Sequence, residues 1–190
     1  MTILVTGADG YMGWPTLMRM ALKFPDEKIV GVDNGFRRLW VHEVGSWSAV
    51  PICSMDERLQ AFREVFGQDN IEYRHVDLRD YYIVKKLIEE YRPRAVVHLA
   101  AQPSAPYSMI SPRHAAFTQE NNVISTLNII HAVKEVDPSI HIIETTTMGV
   151  YGTPNLDIPE GFFEVEFRGR KDTLPFPHQA GSWYHWSKVH

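Results

Sequence analysis

Residues 2–13, Thr2-Ile-Leu-Val-Thr-Gly7-Ala-Asp-Gly10-Tyr-Met-Gly13, decide the fold. A short apolar run at 2–6 is followed at once by three glycines, which reads as strand, tight turn and helix start. In a dinucleotide-binding turn each glycine has its own duty: reversing the chain, letting the backbone approach a pyrophosphate, and allowing close helix-to-strand packing. The phosphates then rest at a helix N-terminus. Pro15 falls in the first turn of that helix, where a missing N–H is tolerated best.

Working outward, the helical stretch Leu17 to Phe24 and the turn at 25–28 lead into Ile29-Val-Gly-Val-Asp33. Asp33 ends a strand about 20 residues past the last glycine, where an acid accepts from ribose hydroxyls. A carboxylate there repels a 2′-phosphate and so favours NAD over NADP. Arg37 and Arg38 are then expected at pyrophosphate or at a neighbouring acid. Strands at about 2–6, 28–33, 71–76, 95–99 and 140–146 alternate with helices at about 11–24, 80–92 and 114–136. Such alternation predicts an α/β fold, a Rossmann-type doubly wound parallel sheet, with residues 1–190 forming one NAD-binding domain. Tyr81, Val84, Leu87, Ile88 and Tyr91 recur at helical spacing before Pro93. Residues 35–69 read as a structural elaboration, with a binding lid as the alternative, and contain an amphipathic helix, Met55 to Phe66. Residues 153–181, rich in Pro and Gly, read as a long loop.

A formal charge of −4 over 190 residues gives no general attraction to nucleic acid or an anionic membrane. Cys53 is the one cysteine, so no internal disulfide can form, in keeping with a reducing compartment. The nine histidines lack metal-ligand spacing, and no metal is expected. No apolar run approaches the length of a membrane span or signal segment, and the chain reads as cytoplasmic.

Tyr184 and Lys188 stand four apart, and on a helix over 182–190 they share one face. An ammonium beside a phenol favours the phenolate and makes it a proton acceptor. The fourth and fifth strands end in His98-Leu-Ala-Ala-Gln102 and Glu144-Thr-Thr-Thr-Met-Gly-Val-Tyr-Gly152. Strand C-termini are where open α/β sheets bind ligands, so Thr147 can join Tyr184 and Lys188. Hydroxyl, phenol and ammonium beside NAD make a hydride-transfer site. Tyr184 takes an alcohol proton, Thr147 hydrogen-bonds the same oxygen, and Lys188 lowers the phenol and holds the nicotinamide ribose.

The GxxGxxG spacing and this constellation resemble the extended short-chain dehydrogenases, specifically the NAD-dependent epimerase/dehydratase family acting on nucleotide sugars. The matching words run from Gly7-x-Asp-Gly-Tyr-x-Gly-Trp14 through Val32-Asp-Asn34-x-x-Arg37-Arg38, Ser104-Ala-Pro-Tyr-Ser-Met-Ile110, Asn121 to Asn128, Thr147 to Asn155 and Gly169 to Pro177, and end at Tyr184-His-x-Ser-Lys-Val-His190. They span almost the whole chain. The words at 104–110 and 147–155 point to a branch that joins sulfite to UDP-glucose. There, the resemblance implies, bound NAD⁺ oxidises C4, water leaves across C5 and C6, sulfite adds at C6, and the hydride returns. It also implies Thr147, Tyr184 and Lys188 as catalytic, with His185 near C6. Gly7, Asp9, Gly10, Tyr11, Met12, Gly13, Asp33, Asn34, Arg37, Asp77, Leu78 and Asn122, with Tyr184 and Lys188, would contact NAD; Asn122 would also brace the site. Gln102, Tyr107 and Thr147 would meet the UDP-sugar.

The pattern departs in two places. Ala101-Gln102-Pro103 stands where that branch has Glu-Gln-Arg, and Val150 stands where it has Glu. The first change removes an arginine suited to sulfite. The ending Val150-Tyr-Gly152 resembles ordinary 4-epimerases, and Met148-Gly149 replaces the Asp-Glu pair of 4,6-dehydratases. A 4-epimerase therefore remains the alternative reading, as does a dinucleotide-binding protein without turnover. The resemblance further implies a C-terminally truncated chain lacking a substrate domain, inactive as residues 1–190, and a homodimer when full length.

Overall fold

The computed structural model describes residues 1–159 and 161–190. Its elements follow in chain order: β1 (Thr2–Thr6), α1 (Gly13–Lys23), β2 (Lys28–Asp33), α2 (Phe36–Glu43), α3 (Met55–Phe66), β3 (Ile71–His75), α4 (Tyr81–Tyr91) and β4 (Ala95–His98). Next come α5 (Ala105–Ser108), α6 (Pro112–Gln119), a π turn (Glu120–Ile124), α7 (Ser125–Val136) and β5 (His141–Glu144). A 3₁₀ turn (Met148–Tyr151), β6 (Phe162–Phe167), β7 (Arg170–Pro175) and α8 (Trp183–Val189) complete the chain. These elements fall into two compact units, Met1–Gln102 with Glu120–Thr145, and Pro103–Gln119 with Thr146–His190.

The first unit is a five-stranded parallel sheet in the order β3-β2-β1-β4-β5. Alternation along β1 explains its two covered faces, because successive side chains point to opposite sides of a strand. Leu4 joins Val30, Val32 and Val96 under α4 and α7, through Val84, Leu87, Ile88, Ile129 and Val133. Ile3 and Val5 join Ile29 and Val97 under α1 and α3, through Leu17, Ala21, Met55 and Phe62. The chain runs outward from β1 to β3 and resumes on the other side with β4. The switch point, where such sheets bind ligands beyond their strand C-termini, is therefore at β1 and β4. Helix ends are fixed locally. Ser54 and Glu57 form a reciprocal capping box on α3, and Asp80 accepts from the amides of Tyr82 and Ile83 on α4.

Three expectations need correction. The excursion at 35–69 holds α2 as well as α3. The single helix expected over 114–136 is interrupted by the π turn, where Asn121 and Asn122 are buried; their buried amides need partners, and the turn brings them to one. The segment 153–181 contains the antiparallel β6–β7 hairpin, paired from Phe162↔Pro175 to Phe167↔Arg170. Its connection, Arg168-Gly169, has φ of +51° and +73°, as a two-residue hairpin turn requires. In the second unit, Tyr151, Phe163 and Phe176 cluster by their rings, and α8 occupies the span expected for the Tyr184 helix. Among the described residues no helix is long and apolar enough to cross a membrane.

Candidate functional site

The glycine turn is built by steric exclusion. Gly7 has φ +73°, a left-handed conformation, and a Cβ placed on it would lie 2.8 Å from the backbone of Leu99 and Ala100. On Gly13 a Cβ would lie 1.8 Å from the Gly7 carbonyl oxygen, so only glycine lets α1 start against the turn. The Gly10 amide donates to the Gly7 carbonyl at 3.0 Å. Tyr11 and Met12 are exposed beside it. A backbone approachable at this density, at a switch point and a helix start, fits a dinucleotide pyrophosphate.

Beyond β2, the Asp33 carboxylate accepts from the amides of Gly35 at 2.7 Å and Asp9 at 3.0 Å. Burial raises its pKa above the ordinary carboxyl range, and the two amides oppose that rise. The Asp9 side chain does not point outward as a cofactor ligand would; its carboxylate is gripped by Arg38 at 2.6 and 2.8 Å, with Arg58 at 3.4 Å. Arg38 therefore meets a neighbouring acid, while Arg37 is exposed. Asn34 accepts from the Phe36 amide, and Asp77 pairs with Arg79 at 2.6 Å. Burial would raise the Asp77 carboxyl, but Arg79 outweighs it and the pKa lies below the ordinary value. Leu78 is buried in the core, and its carbonyl accepts from Asn128 at 2.9 Å.

At the exit of β4, Asn122 holds the backbone of Gln102. Its amide oxygen accepts from the Gln102 amide at 2.7 Å and its nitrogen donates to the Gln102 carbonyl at 3.1 Å. Both residues are buried, so this side chain holds backbone, and π turns recur at functional positions of this kind. Sequence reasoning assigned no role to His98. The Thr6 hydroxyl accepts from the amides of Leu99 and Ala100, which leaves its proton for His98 Nδ1 at 2.7 Å. Nε2–H then donates to the Thr126 hydroxyl at 3.1 Å, which donates to the Asn122 carbonyl. This buried chain pins the β4 exit beside the glycine turn.

In the second unit, Tyr184 and Lys188 lie one turn apart on α8, both partly buried. The Thr147 hydroxyl caps the 3₁₀ turn by accepting from the Gly149 amide at 3.2 Å, and it acts on the Tyr184 phenol. Burial raises the phenol above its ordinary pKa of 10.0; the Thr147 hydroxyl favours the phenolate and pulls the other way. The lowering expected from Lys188 is thus not what sets the phenol here. Three serines that sequence reasoning passed over hold the helix. Ser108, fully buried, accepts from the Tyr184 amide at 3.1 Å; Ser182 accepts from the His185 amide at 3.2 Å; Ser187 donates to the Tyr184 carbonyl at 2.7 Å. His185 lies against Gly149, where a Cβ would sit 2.3 Å from its Nε2, so Gly149 is the space the imidazole fills. Tyr107 is buried in α5, edge-on to His114 with ring centroids 4.7 Å apart.

Residues 4–164 match the family model described as GDP-mannose 4,6 dehydratase. The chain belongs to that family. Within the GDP-mannose 4,6 dehydratase family, the chain is 46% identical to UDP-sulfoquinovose synthase of Sulfolobus acidocaldarius, over all of this chain and 48% of that protein. It is 44% identical to the chloroplastic UDP-sulfoquinovose synthase of Spinacia oleracea, over 99% of this chain and 38% of the relative. The chain thus spans less than half the length of these relatives. In fold it is similar to the UDP-Glc/GlcNAc 4-epimerase of Campylobacter jejuni, with a TM-score of 0.69 at 22% identity over 99% of this chain and 46% of that one. It is also similar to dTDP-glucose 4,6-dehydratase of Bacillus anthracis in complex with NAD, with a TM-score of 0.65 at 18% identity over 100% of this chain and 47% of that one.

Proposed function

We propose that this chain carries the dinucleotide-binding and proton-transfer residues of an NAD-dependent nucleotide-sugar enzyme, one that makes UDP-sulfoquinovose from UDP-glucose and sulfite. The observation that carries the reading is the placement of the Thr147 hydroxyl near enough to Tyr184 to favour its phenolate, with Lys188 one turn along the same helix. The likeness to two UDP-sulfoquinovose synthases over the whole chain supports the choice of product.

Gly7, Gly10 and Gly13 would hold the pyrophosphate and Asp33 the adenosine ribose. NAD⁺ held there would supply reversible hydride-transfer chemistry. Tyr184 takes the proton of the C4 hydroxyl, a general-base role for a phenol that Thr147 biases toward the phenolate. Thr147 also bonds the same sugar oxygen, and Lys188 supplies positive charge to the alkoxide side. His185, which bonds Ser182 and lies against Gly149, would move a proton as water leaves across C5 and C6 and sulfite adds at C6. Gln102 and Tyr107 would position the UDP-sugar.

The test uses the protein in its full natural length. Incubation with UDP-glucose, with and without sulfite, followed by mass spectrometry and NMR of the product, should give a C6 sulfonate only when sulfite is present. A C4 epimer with no sulfonate in either mixture rejects the synthase and selects the epimerase. Tyr184→Phe should abolish conversion while the protein stays folded by circular dichroism.

A further inference from the structure

One carboxylate fastens the excursion between β2 and β3 to the glycine turn. The Asp9 side chain is only 4% exposed and receives a forked, two-point bond from Arg38, with Nε at 2.6 Å and Nη2 at 2.8 Å. Arg58 approaches the same carboxylate at 3.4 Å and lies over the Trp14 ring. Two further N–H groups of Arg38 donate to the carbonyls of Ile52 at 3.1 Å and Cys53 at 2.8 Å. Through its amide, Asp9 also bonds Asp33, the acid placed to read the ribose.

Arg38 stands in the first turn of α2, directly after the β2 acid. An arginine there is what accommodates a 2′-phosphate when a fold of this kind takes NADP. Here the guanidinium is turned to Asp9 instead. Asp33 by itself repels a 2′-phosphate, but an adjacent free guanidinium would offset that repulsion. Resting on the NAD reading above, we propose that Asp9 is a specificity-determining residue: it withholds Arg38 from a 2′-phosphate, so that Asp33 alone reads the ribose and NAD is taken over NADP. The device lies in the glycine turn itself, not at the strand end where dinucleotide preference is ordinarily read.

Titration calorimetry with NAD⁺ and NADP⁺ on the full-length protein tests this without turnover. The wild type should prefer NAD⁺ by about tenfold or more, since one hydrogen bond to a charged group is worth about 10–100-fold. Asp9→Asn should raise the ratio of NADP⁺ to NAD⁺ affinity about tenfold, and Asp9→Asn with Arg38→Gln should lose the gain. An unchanged NADP⁺/NAD⁺ ratio in Asp9→Asn, or a gain that survives in the double variant, overturns the proposal. Should Asp9→Asn fail to fold by circular dichroism, Arg38→Gln alone decides. Its NADP⁺ affinity should stay near that of the wild type, and a tenfold fall would show that Arg38 already meets the phosphate. A wild type that binds neither dinucleotide refutes the NAD reading itself, and the inference with it.

Discussion

The glycine turn of the first unit and the α8 region of the second hold their functional groups by opposite means. Around Gly7 and Gly13 the backbone is fixed because there is no room for a single extra carbon. Around Tyr184 the backbone is fixed by individual hydroxyls, chiefly Ser108, Ser182 and Ser187. A turn that exposes backbone to a phosphate has few side chains to spare, so exclusion serves it. The phenol proposed to exchange protons is carried on a short helix pinned by bonds that can be adjusted.

The sharpest way to break this contrast is Gly13→Ala. The new carbon would run into the Gly7–Ala8 backbone, with the Gly7 carbonyl oxygen at 1.8 Å and no flexible side chain to yield. Overpacking costs about 1–3 kcal/mol and more where nothing can move, so a loss of about 3 kcal/mol is expected in urea unfolding, together with loss of NAD binding. Gly10→Ala is the internal control. Its carbon would meet the same oxygen at 3.1 Å, and the loss should stay below about 1 kcal/mol. Equal losses at the two positions would remove the steric account.

A smaller effect is expected from Ser108→Ala in the second unit. It leaves the Tyr184 amide without its acceptor, and an unsatisfied donor costs about 1–3 kcal/mol. Tyr184 is only partly buried and water can replace the serine, which places the cost near 1 kcal/mol. The informative readout is the split between functions. NAD affinity should hold, while turnover of the full-length protein falls about tenfold or more, because small misplacements of a reacting group are expensive in rate. Rescue by Ser108→Thr, which keeps the acceptor, separates a positioning role from a loss of packing.

What could be read in the sequence follows the same contrast. The strands around β1, the glycine turn, Asp33 and the helical placement of Tyr184 and Lys188 were legible because each depends on neighbours within a few residues. The hairpin of β6 and β7 was hidden by the charges at 168–172, whose Arg168-Gly169 turn looks like loop composition. The break in the helix at Asn121 and Asn122 depends on Gln102, twenty residues away, which no periodicity reveals. Asp9 read as a dinucleotide contact because it sits in the glycine motif, yet its partners Arg38 and Arg58 come from α2 and α3. Ser108 lies 76 positions before the amide it holds. Pairings across such distances are set by tertiary folding, and a lone serine or aspartate carries no signal of them.

The subtlest test of the comparison is electrostatic. If α8 is tuned by adjustable bonds, removing one should move the phenol without moving the helix. Burial holds the Tyr184 phenol above 10.0, and Thr147 lowers it, so Thr147→Val should shift its titration further upward. The resonance of ¹³Cζ-labelled tyrosine, assigned by its disappearance in Tyr184→Phe, reports this directly. The sign extends to stability. A phenol raised by folding contributes stability that is fully present below its unfolded pKa and is lost as pH rises through the folded one. The loss therefore belongs to the alkaline range above 10, and in Thr147→Val it should run on to higher pH than in the wild type. A downward shift, or none, would show that the hydroxyl does not favour the phenolate, and Thr147 would be left only its cap on the 3₁₀ turn.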